Sequence, residues 1–200
     1  WIMTFHAMSL RILREHCEAV GYQRNFVVYD TVDQKTLIKN IMKEQNIDTK
    51  LYPQAYLSAA ISKQKENDVS PQAYLETEGD NFRSKVIYRV YKEYQDQLKR
   101  NNAMDFDDLL TLTFKLLQEH EDIRKKYADR FNFLLVDEYQ DTNHAQMRIV
   151  MQLCKEKERV CAVGDDSQSI YSFRGANIDN ILSFQSRFKG AKLFKLEQNY

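Results

Sequence analysis

The stretch FLLVDEYQDT, residues 133–142, decides the fold prediction for this chain. Its first four residues are apolar, as in a buried β-strand, and three carboxylates follow within five positions: Asp137, Glu138 and Asp141. Carboxylates repel one another and are costly to bury, so three of them directly after a strand need a reason. In parallel sheets, ligands bind beyond the carboxyl ends of the strands, and such a ligand would supply that reason.

Short strand-like runs and helical segments alternate around this stretch. FNFLLV (131–136), RVCAVG (159–164) and KLFKLE (192–197) are apolar and rich in β-forming residues, and helical patterns near 143–156 and 177–188 separate them. Strand–helix–strand alternation at this spacing predicts a parallel α/β sheet with helical crossovers.

The first half of the chain has a different texture, because almost every segment is helical in pattern. A helix is predicted to begin just after Thr4–His6, a capping-box pattern occurs at Thr31–Gln34, and another helix is predicted from about Asp107. A long helix is predicted at 82–98, with one apolar stripe: Phe82, Val86, Val90, Tyr91, Tyr94 and Leu98. We therefore predict an α/β core formed by residues 1–20 and 105–200, with an all-helical subdomain inserted at residues 21–104.

Composition narrows the class of protein. The 29 basic residues balance 29 acidic ones, so no global field points to nucleic acid or to a membrane, and a charged partner would be met by a local patch. The three cysteines are odd in number and widely spaced, which is typical of free thiols in a reducing compartment. No apolar run approaches the length of a membrane span. We expect a cytoplasmic, soluble, globular chain.

The end of the first strand carries the chemistry of a Walker B motif. There, an aspartate such as Asp137 helps to hold Mg²⁺, and a neighbouring acid such as Glu138 polarises the water that attacks the γ-phosphate. The alternative is a solvated turn at the end of a strand. The polar extension Gln140–Thr142 favours the first interpretation, because a plain turn needs fewer acceptors.

The second strand run continues into AVGDDSQSIYSFRGA (162–176). Gly164 permits a tight turn at the strand end, and Gln168 can hydrogen-bond a phosphate oxygen and a side chain at once. Three further residues would form a stacking and phosphate-gripping surface for single-stranded nucleic acid: Tyr171, Phe173 and Arg174. The alternative is that the two aromatics belong to the core and that the arginine forms a surface ion pair.

Taken together, these segments resemble a known family. VDEYQDTN (136–143), GDDSQSIYSFRGA (164–176) and LEQNY (196–200) are similar, in order and spacing, to motifs II and III and the start of motif IV of the UvrD/PcrA/Rep group of superfamily 1 DNA helicases. TFHAMSLRIL (4–13) resembles motif Ib of that group, and MDFDDLL (104–110) resembles the stretch where its inserted helical subdomain returns to the core. The resemblance implies a partial RecA-like core.

The resemblance also implies roles for individual residues. Asp137 would serve Mg²⁺, Glu138 would be the catalytic base, Gln168 would contact the γ-phosphate of ATP, and Tyr200 would stack against adenine. Six residues would lie along single-stranded DNA: Thr4, Phe5, His6, Tyr171, Phe173 and Arg174. Many relatives have Trp where Phe173 stands, so the grip on a base is expected to differ somewhat.

The implied activity is ATP-driven movement along single-stranded DNA from 3′ to 5′, with unwinding at single-strand/duplex junctions, in repair or replication. No G-x-x-x-x-G-K-[ST] occurs in the 200 residues, so we expect the phosphate-binding loop upstream of Trp1, and we expect the isolated chain to lack ATPase activity and to self-associate. One alternative is a non-catalytic DNA- or protein-binding module of a RecB/AddA-like helicase–nuclease. Another is a carboxylate–metal nuclease built on DFDDLL and VDEYQD.

Two groups of charged residues each have two possible interpretations from the sequence. Two of the three aspartates Asp105, Asp107 and Asp108 could simply favour a helix N-terminus through its dipole. Basic residues of the long helix could form a duplex-facing patch or only a solvated face: Arg83, Lys85, Arg89, Lys92, Lys99 and Arg100.

Overall fold

The computed structural model describes residues 1–79, 81–165, 179–188 and 190–195. The chain divides into two compact units, residues 1–123 and residues 124–200, and each is described by itself. The chain is an α/β protein that is mostly helical, with short parallel strand pairs, so the predicted fold class is confirmed. The predicted bounds of an inserted subdomain stay a prediction.

The first unit is built mainly from helices. In chain order its elements are α1 (Phe5–His16), β1 (Val27–Val28), α2 (Thr31–Glu44), α3 (Gln54–Glu66), α4 (Pro71–Glu78), α5 (Phe82–Arg100), β2 (Ala103–Met104) and α6 (Phe106–Glu119). Helix α7 (Glu121–Arg130) follows, and the division between the units falls within it. Helix α1 packs against α6, and α5 packs against α2, α3 and α4.

The four central helices share one apolar core. Its members from α5 are Val86, Ile87, Val90, Tyr91, Tyr94 and Leu98, and α2 and α3 contribute Leu37, Ile38, Ile41, Met42, Leu57 and Ile61. The predicted stripe of α5 is therefore confirmed except at its first residue. Phe82, the first residue of the helix, is 73% exposed, and the tilted ring of Tyr52 lies beside it with ring centroids 6.4 Å apart.

A short parallel ladder joins the two ends of this helical segment. Val27 pairs with Ala103 and Val28 with Met104, and the Tyr29 amide extends the ladder by donating to the Met104 carbonyl at 2.8 Å. This pair was not predicted, since strands of two residues are too short to show an alternating pattern.

Two helix starts differ slightly from the predictions. Helix α1 begins at Phe5 and not after His6, because the Thr4 hydroxyl accepts from the Ala7 amide and caps the helix there. The capping box of α2 uses Asp30 and Asp33, one residue before the predicted pair, since the Asp30 carboxylate accepts from the second and third amides of the helix.

The second unit contains the stretch FLLVDEYQDT, residues 133–142. Its strands β3 (Leu134–Val136) and β4 (Val160–Ala162) are parallel and pair in register, with Leu134 opposite Val160. Helix α8 (His144–Cys154) connects them, and two short helices follow, α9 (Asp179–Leu182) and α10 (Phe184–Arg187).

The strand predictions of this unit have mixed outcomes. The strands at 131–136 and 159–164 are confirmed in shorter form. The strand predicted at 192–197 is wrong for residues 192–195, which form none, and residues 196–197 lie outside the described residues. Across the part of the chain that the structure describes, none of the helices combines the length and apolar character that crossing a membrane requires.

Candidate active site

The carboxyl ends of β3 and β4 lie side by side. The Val163 amide donates to the Val136 carbonyl at 2.8 Å, and the Tyr139 amide donates to the Val163 carbonyl at 2.9 Å, so pairing continues past both strands. Asp137 and Glu138 sit on this edge and are exposed, whereas Val136 before them is buried. The Asp137 carboxylate also accepts from the amide of Glu138 at 2.9 Å.

Glu138 has an unusual backbone conformation. Its φ of 49° and ψ of 43° place it in the left-handed region, which side chains with a Cβ adopt at a cost. Its carboxylate is fixed from one side, because the Gln140 amide nitrogen donates to Glu138 Oε2 at 2.7 Å. Strained backbone of this kind is concentrated at functional sites.

Gln140 connects both strand ends. Its side chain is buried, with 1% exposure, and its Oε1 accepts from the Asp165 amide at 3.1 Å. A Cβ on Gly164 would lie 2.5 Å from that Oε1 and 2.9 Å from the Ile181 side chain. Gly164 is therefore needed for close approach, and its φ lies outside the left-handed region that a tight turn would use.

Buried side chains hold the segment after Glu138 in place. The buried Tyr139 hydroxyl donates to Met147 Sδ at 2.8 Å, and its ring meets Phe184 edge-on at 5.4 Å. Burial raises the pKa of Tyr139 to about 12, so the hydroxyl stays a donor at neutral pH. The buried Asn180 amide donates to the Thr142 carbonyl at 2.9 Å, and the Thr142 hydroxyl donates to the Tyr139 carbonyl at 2.6 Å.

The donor set at this edge fits Mg²⁺ in one particular way. Within the described ranges, no group of three or more His, Cys, Asp or Glu side chains could hold a metal ion. Mg²⁺ at nucleotide sites is commonly held by one or two carboxylates together with phosphate oxygens. The exposed carboxylate of Asp137, beside Glu138, fits such a shared ion better than a cage made by protein alone.

Of the predicted DNA-contacting residues, Thr4 caps α1 and Phe5 and His6 are its first two residues. Thr4 is exposed, and Phe5 and His6 are half-buried. The His6 ring meets Phe106, the first residue of α6, at a centroid distance of 5.8 Å and an interplanar angle of 78°. Phe106 remains 43% exposed. The sequence did not single out Phe106, because its contact with His6 depends on the packing of α1 against α6.

The remaining predicted site residues cannot be placed in the same way. Gln168, Tyr171, Phe173, Arg174 and Tyr200 lie outside the described residues, and their roles stay predictions.

The aspartates of DFDDLL have a partner that the sequence did not suggest. Lys65 of α3 lies 2.6 Å from Asp105 Oδ2 and 2.7 Å from Asp108 Oδ1, and all three side chains are nearly fully buried. The Tyr94 hydroxyl also donates to Asp105 at 2.8 Å. Asp105 and Asp108 form the capping box of α6 as well, and Asp107 accepts from the Ser62 hydroxyl at 2.7 Å.

Burial and charge act together on these groups. Burial alone would lower the pKa of Lys65, but the attraction of Asp105 and Asp108 raises it above its usual value, so the amine stays charged. Burial and the repulsion of Asp105 raise the pKa of Asp108 to about 6, while Lys65 holds the pKa of Asp105 below its usual value against burial. Two carboxylates already paired with an amine do not favour the nuclease interpretation.

The basic residues of α5 are all exposed, as both interpretations of them require. Lys92 pairs with Asp96 at 2.7 Å, and Arg100 pairs with Glu93 at 2.6 Å. Such local pairs are common on solvated helix faces, and they leave a duplex-facing role as a prediction.

Comparison with known proteins identifies the family. Residues 1–189 match the family described as UvrD/REP helicase N-terminal domain. Over all 200 residues, the chain is 44% identical to a Staphylococcus epidermidis protein named ATP-dependent DNA helicase PcrA and 42% identical to a Staphylococcus aureus protein of the same name. The chain spans 27% of the length of each of these relatives. The resemblance seen in the sequence is thus confirmed, and the chain belongs to the UvrD/REP helicase family, whose domain is RecA-like.

Proposed function

We propose that the chain is part of an ATP-dependent DNA helicase, which hydrolyses ATP with Mg²⁺ to move from 3′ to 5′ along single-stranded DNA. It would unwind duplex DNA at single-strand/duplex junctions, in repair or replication, in the cytoplasm. The observation that carries this proposal is the exposed pair Asp137 and Glu138 at the joined carboxyl ends of β3 and β4, in a chain of this family.

The proposed chemistry divides between these two side chains. Glu138 would accept a proton from the water that attacks the γ-phosphate, and Asp137 would help to hold Mg²⁺. Mg²⁺, when bound with the nucleotide, neutralises charge on the phosphate oxygens. By resemblance, Gln168 would contact the γ-phosphate and Tyr200 the adenine, while single-stranded DNA would lie along six residues: Thr4, Phe5, His6, Tyr171, Phe173 and Arg174.

The domain organisation belongs to the same proposal. We propose that residues 21–104 are an insertion into a core formed by residues 1–20 and 105–200. The ladder of β1 with β2 supports this, because it brings the entry and the exit of the helical segment together. The packing of α1 on α6 supports it too, since these helices lie on either side of the segment in sequence.

The test is a substitution in the full-length parent protein. Glu138→Gln should lower DNA-stimulated ATP hydrolysis by about a hundredfold or more, because a general base contributes at least that much, and nucleotide binding should persist. Glu158→Gln is the matched control, since Glu158 is also an exposed glutamate in left-handed conformation, with φ 45°. Normal turnover in Glu138→Gln would remove Glu138 from the role of base.

The 200 residues alone should behave differently from the parent. We expect no ATP hydrolysis, because the sequence contains no loop of the G-x-x-x-x-G-K-[ST] type to grip the phosphates. Titration of the chain with labelled single-stranded DNA at increasing salt measures whether it still binds, since phosphate contacts weaken as salt rises. Steady hydrolysis by the pure chain would contradict this expectation.

A further inference from the structure

The side-chain amide of Gln140 is hydrogen-bonded at both ends. Its amide nitrogen donates to Glu138 Oε2 at 2.7 Å, and its amide oxygen accepts from the Asp165 amide at 3.1 Å. A carboxylate can only accept and a backbone N–H can only donate, so the two partners dictate which end of the amide faces which strand. No hydrophobic side chain of this shape could make both bonds.

The surroundings leave Gln140 little freedom. The residue is 1% exposed, and Gly164 lies so close that even a methyl group there would collide with the amide oxygen. A buried amide that lost either partner would bear the cost of an unpaired polar group. The side chain is thus held in one orientation by packing and by both bonds.

The consequence falls on Glu138. Its backbone is in the left-handed region and its side chain is exposed, so neither packing nor a helix limits the carboxylate. Among the described residues, Gln140 bonds Oε2 and no side chain bonds Oε1. One oxygen is held while the other is left for a ligand, as a base requires.

We propose that Gln140 is a positioning residue for ATP hydrolysis. It fixes the Glu138 carboxylate relative to the end of β4, so that the backbone at Gly164 and Asp165 sets where the base points. This inference rests on the proposed function, in which Glu138 is the base.

The experiment measures ATP hydrolysis by the full-length parent with saturating single-stranded DNA. Gln140→Met keeps the length of the side chain and loses both bonds. Gln140→Glu keeps an acceptor for the Asp165 amide but places a second carboxylate against Glu138. Gln146→Met is the control, since Gln146 lies in the same unit and bonds only within the cap of α8.

We expect Gln140→Met to lower kcat by about ten- to a hundredfold, as loss of a supporting hydrogen bond does at other sites, with KM for ATP nearly unchanged. Gln140→Glu should lower kcat further, because like charges repel. Gln146→Met should keep kcat, with at most a small loss of stability. Thermal unfolding of each variant checks that it folds. If Gln140→Met does not fold, the kcat of Gln140→Glu tests the inference in its place.

A double substitution separates positioning from a general structural effect. In the Glu138→Gln background, adding Gln140→Met should not lower the residual single-turnover rate, because the amide would act only through Glu138. A further tenfold loss there, or an unchanged kcat in Gln140→Met and Gln140→Glu, would overturn the inference. Full turnover in Glu138→Gln alone would contradict the proposed role of Glu138 as base. That result can be told apart from a failure of the positioning role of Gln140, which only the Gln140 variants report.

Discussion

Lys65 shows how strongly single residues are constrained in the first unit. Its side chain is 3% exposed and is enclosed by Asp105, Asp108 and the Gln95 amide oxygen, which accepts at 3.0 Å. A buried ion pair adds little stability compared with an apolar replacement of the whole cluster, but removing one partner leaves buried charge uncompensated. The free energy of unfolding should therefore be very sensitive to substitution at Lys65.

Lys65→Met should lower the free energy of unfolding by about 3–5 kcal/mol, because two buried carboxylates would lose their counter-charge. Lys63→Met, an exposed position on the same helix, should change it by less than about 0.5 kcal/mol. Urea unfolding of the chain measures both values. Equal stability of the two variants would show that the buried carboxylates of Asp105 and Asp108 do not need the charge of Lys65.

Asp108 should make stability depend on pH. Its pKa is raised in the folded chain to about 6, so the folded state binds more protons than the unfolded state between about pH 4 and pH 6. The contribution of this group is complete below that window and is lost as pH rises through it. Asp108→Asn should abolish this contribution to the pH dependence of the free energy of unfolding.

The measurement is the difference in the free energy of unfolding between wild type and Asp108→Asn across that pH window. Burial also raises the pKa of Glu66, to about 7, but Glu66 is present in both chains and its titration largely cancels. A difference that does not change with pH would contradict the prediction.

For single residues, the sequence predicted where chemically active side chains lie better than it predicted which residues they contact. Asp137 and Glu138 follow an apolar run, and that local pattern was enough to place them at the end of β3. Lys65 meets aspartates that lie 40 or more residues away, so no local pattern could distinguish it from a solvated lysine. Gln140 was noted only as a polar extension, because its two bonds depend on the pairing of β3 with β4.

Three of the described helices begin with the same kind of N-terminal cap. Reciprocal capping boxes start α2, α6 and α8, formed by Asp30 with Asp33, Asp105 with Asp108, and Asn143 with Gln146. The boxes of α6 and α8 each satisfy two backbone amides that the helix leaves without partners, and the box of α2 satisfies three. All three boxes are reciprocal, but the box of α2 is exposed and that of α6 is buried.

Removing the cap of α6 should therefore cost more stability than removing the cap of α2. Asp30→Ala should lower the free energy of unfolding by about 1 kcal/mol, the usual cost of an exposed cap. Asp105→Ala should cost at least about 2–3 kcal/mol, because the bonds from Lys65 and Tyr94 are lost with the cap. Urea unfolding of the chain measures both, and equal losses would mean that burial adds nothing to the cap of α6.

Prediction of elements succeeded where the pattern was long. Helix α5 and strands β3 and β4 carry clear periodicity or a continuous apolar run, and they form as predicted. The ladder of β1 and β2 has too few residues for any pattern. KLFKLE has the composition of a strand, but residues 192–195 form none, since composition alone supplies no pairing partner.

At the scale of the whole molecule, the exposed apolar side chains beside β3 and β4 have a consequence for association. Leu135 is 77% exposed, Phe133 67% and Val163 54%, all in or beside β3 and β4. Among the described residues, these strands pair only with each other. Parallel sheets are normally covered on both faces, and open strand edges favour association.

We therefore expect the 200-residue chain to self-associate as its concentration rises, and Leu135→Lys to reduce that association. Leu51→Lys is the control, because Leu51 is similarly exposed, at 70%, but lies in the first unit. Sedimentation velocity over a range of concentrations measures the effect. A monomer at every concentration, or an equal effect of both substitutions, would contradict the prediction.

The ladder of β1 and β2 also bears on how the helical segment between them could be removed. Because Val27 lies opposite Ala103, the backbone before the helical segment runs within about 5 Å of the backbone after it, and a short bridge from Phe26 to Ala103 could close the gap. With such a bridge, the helices between β1 and β2 could be removed or transplanted as one piece. Such a deletion also removes Lys65, so it should succeed only if Asp105 and Asp108 are made neutral at the same time.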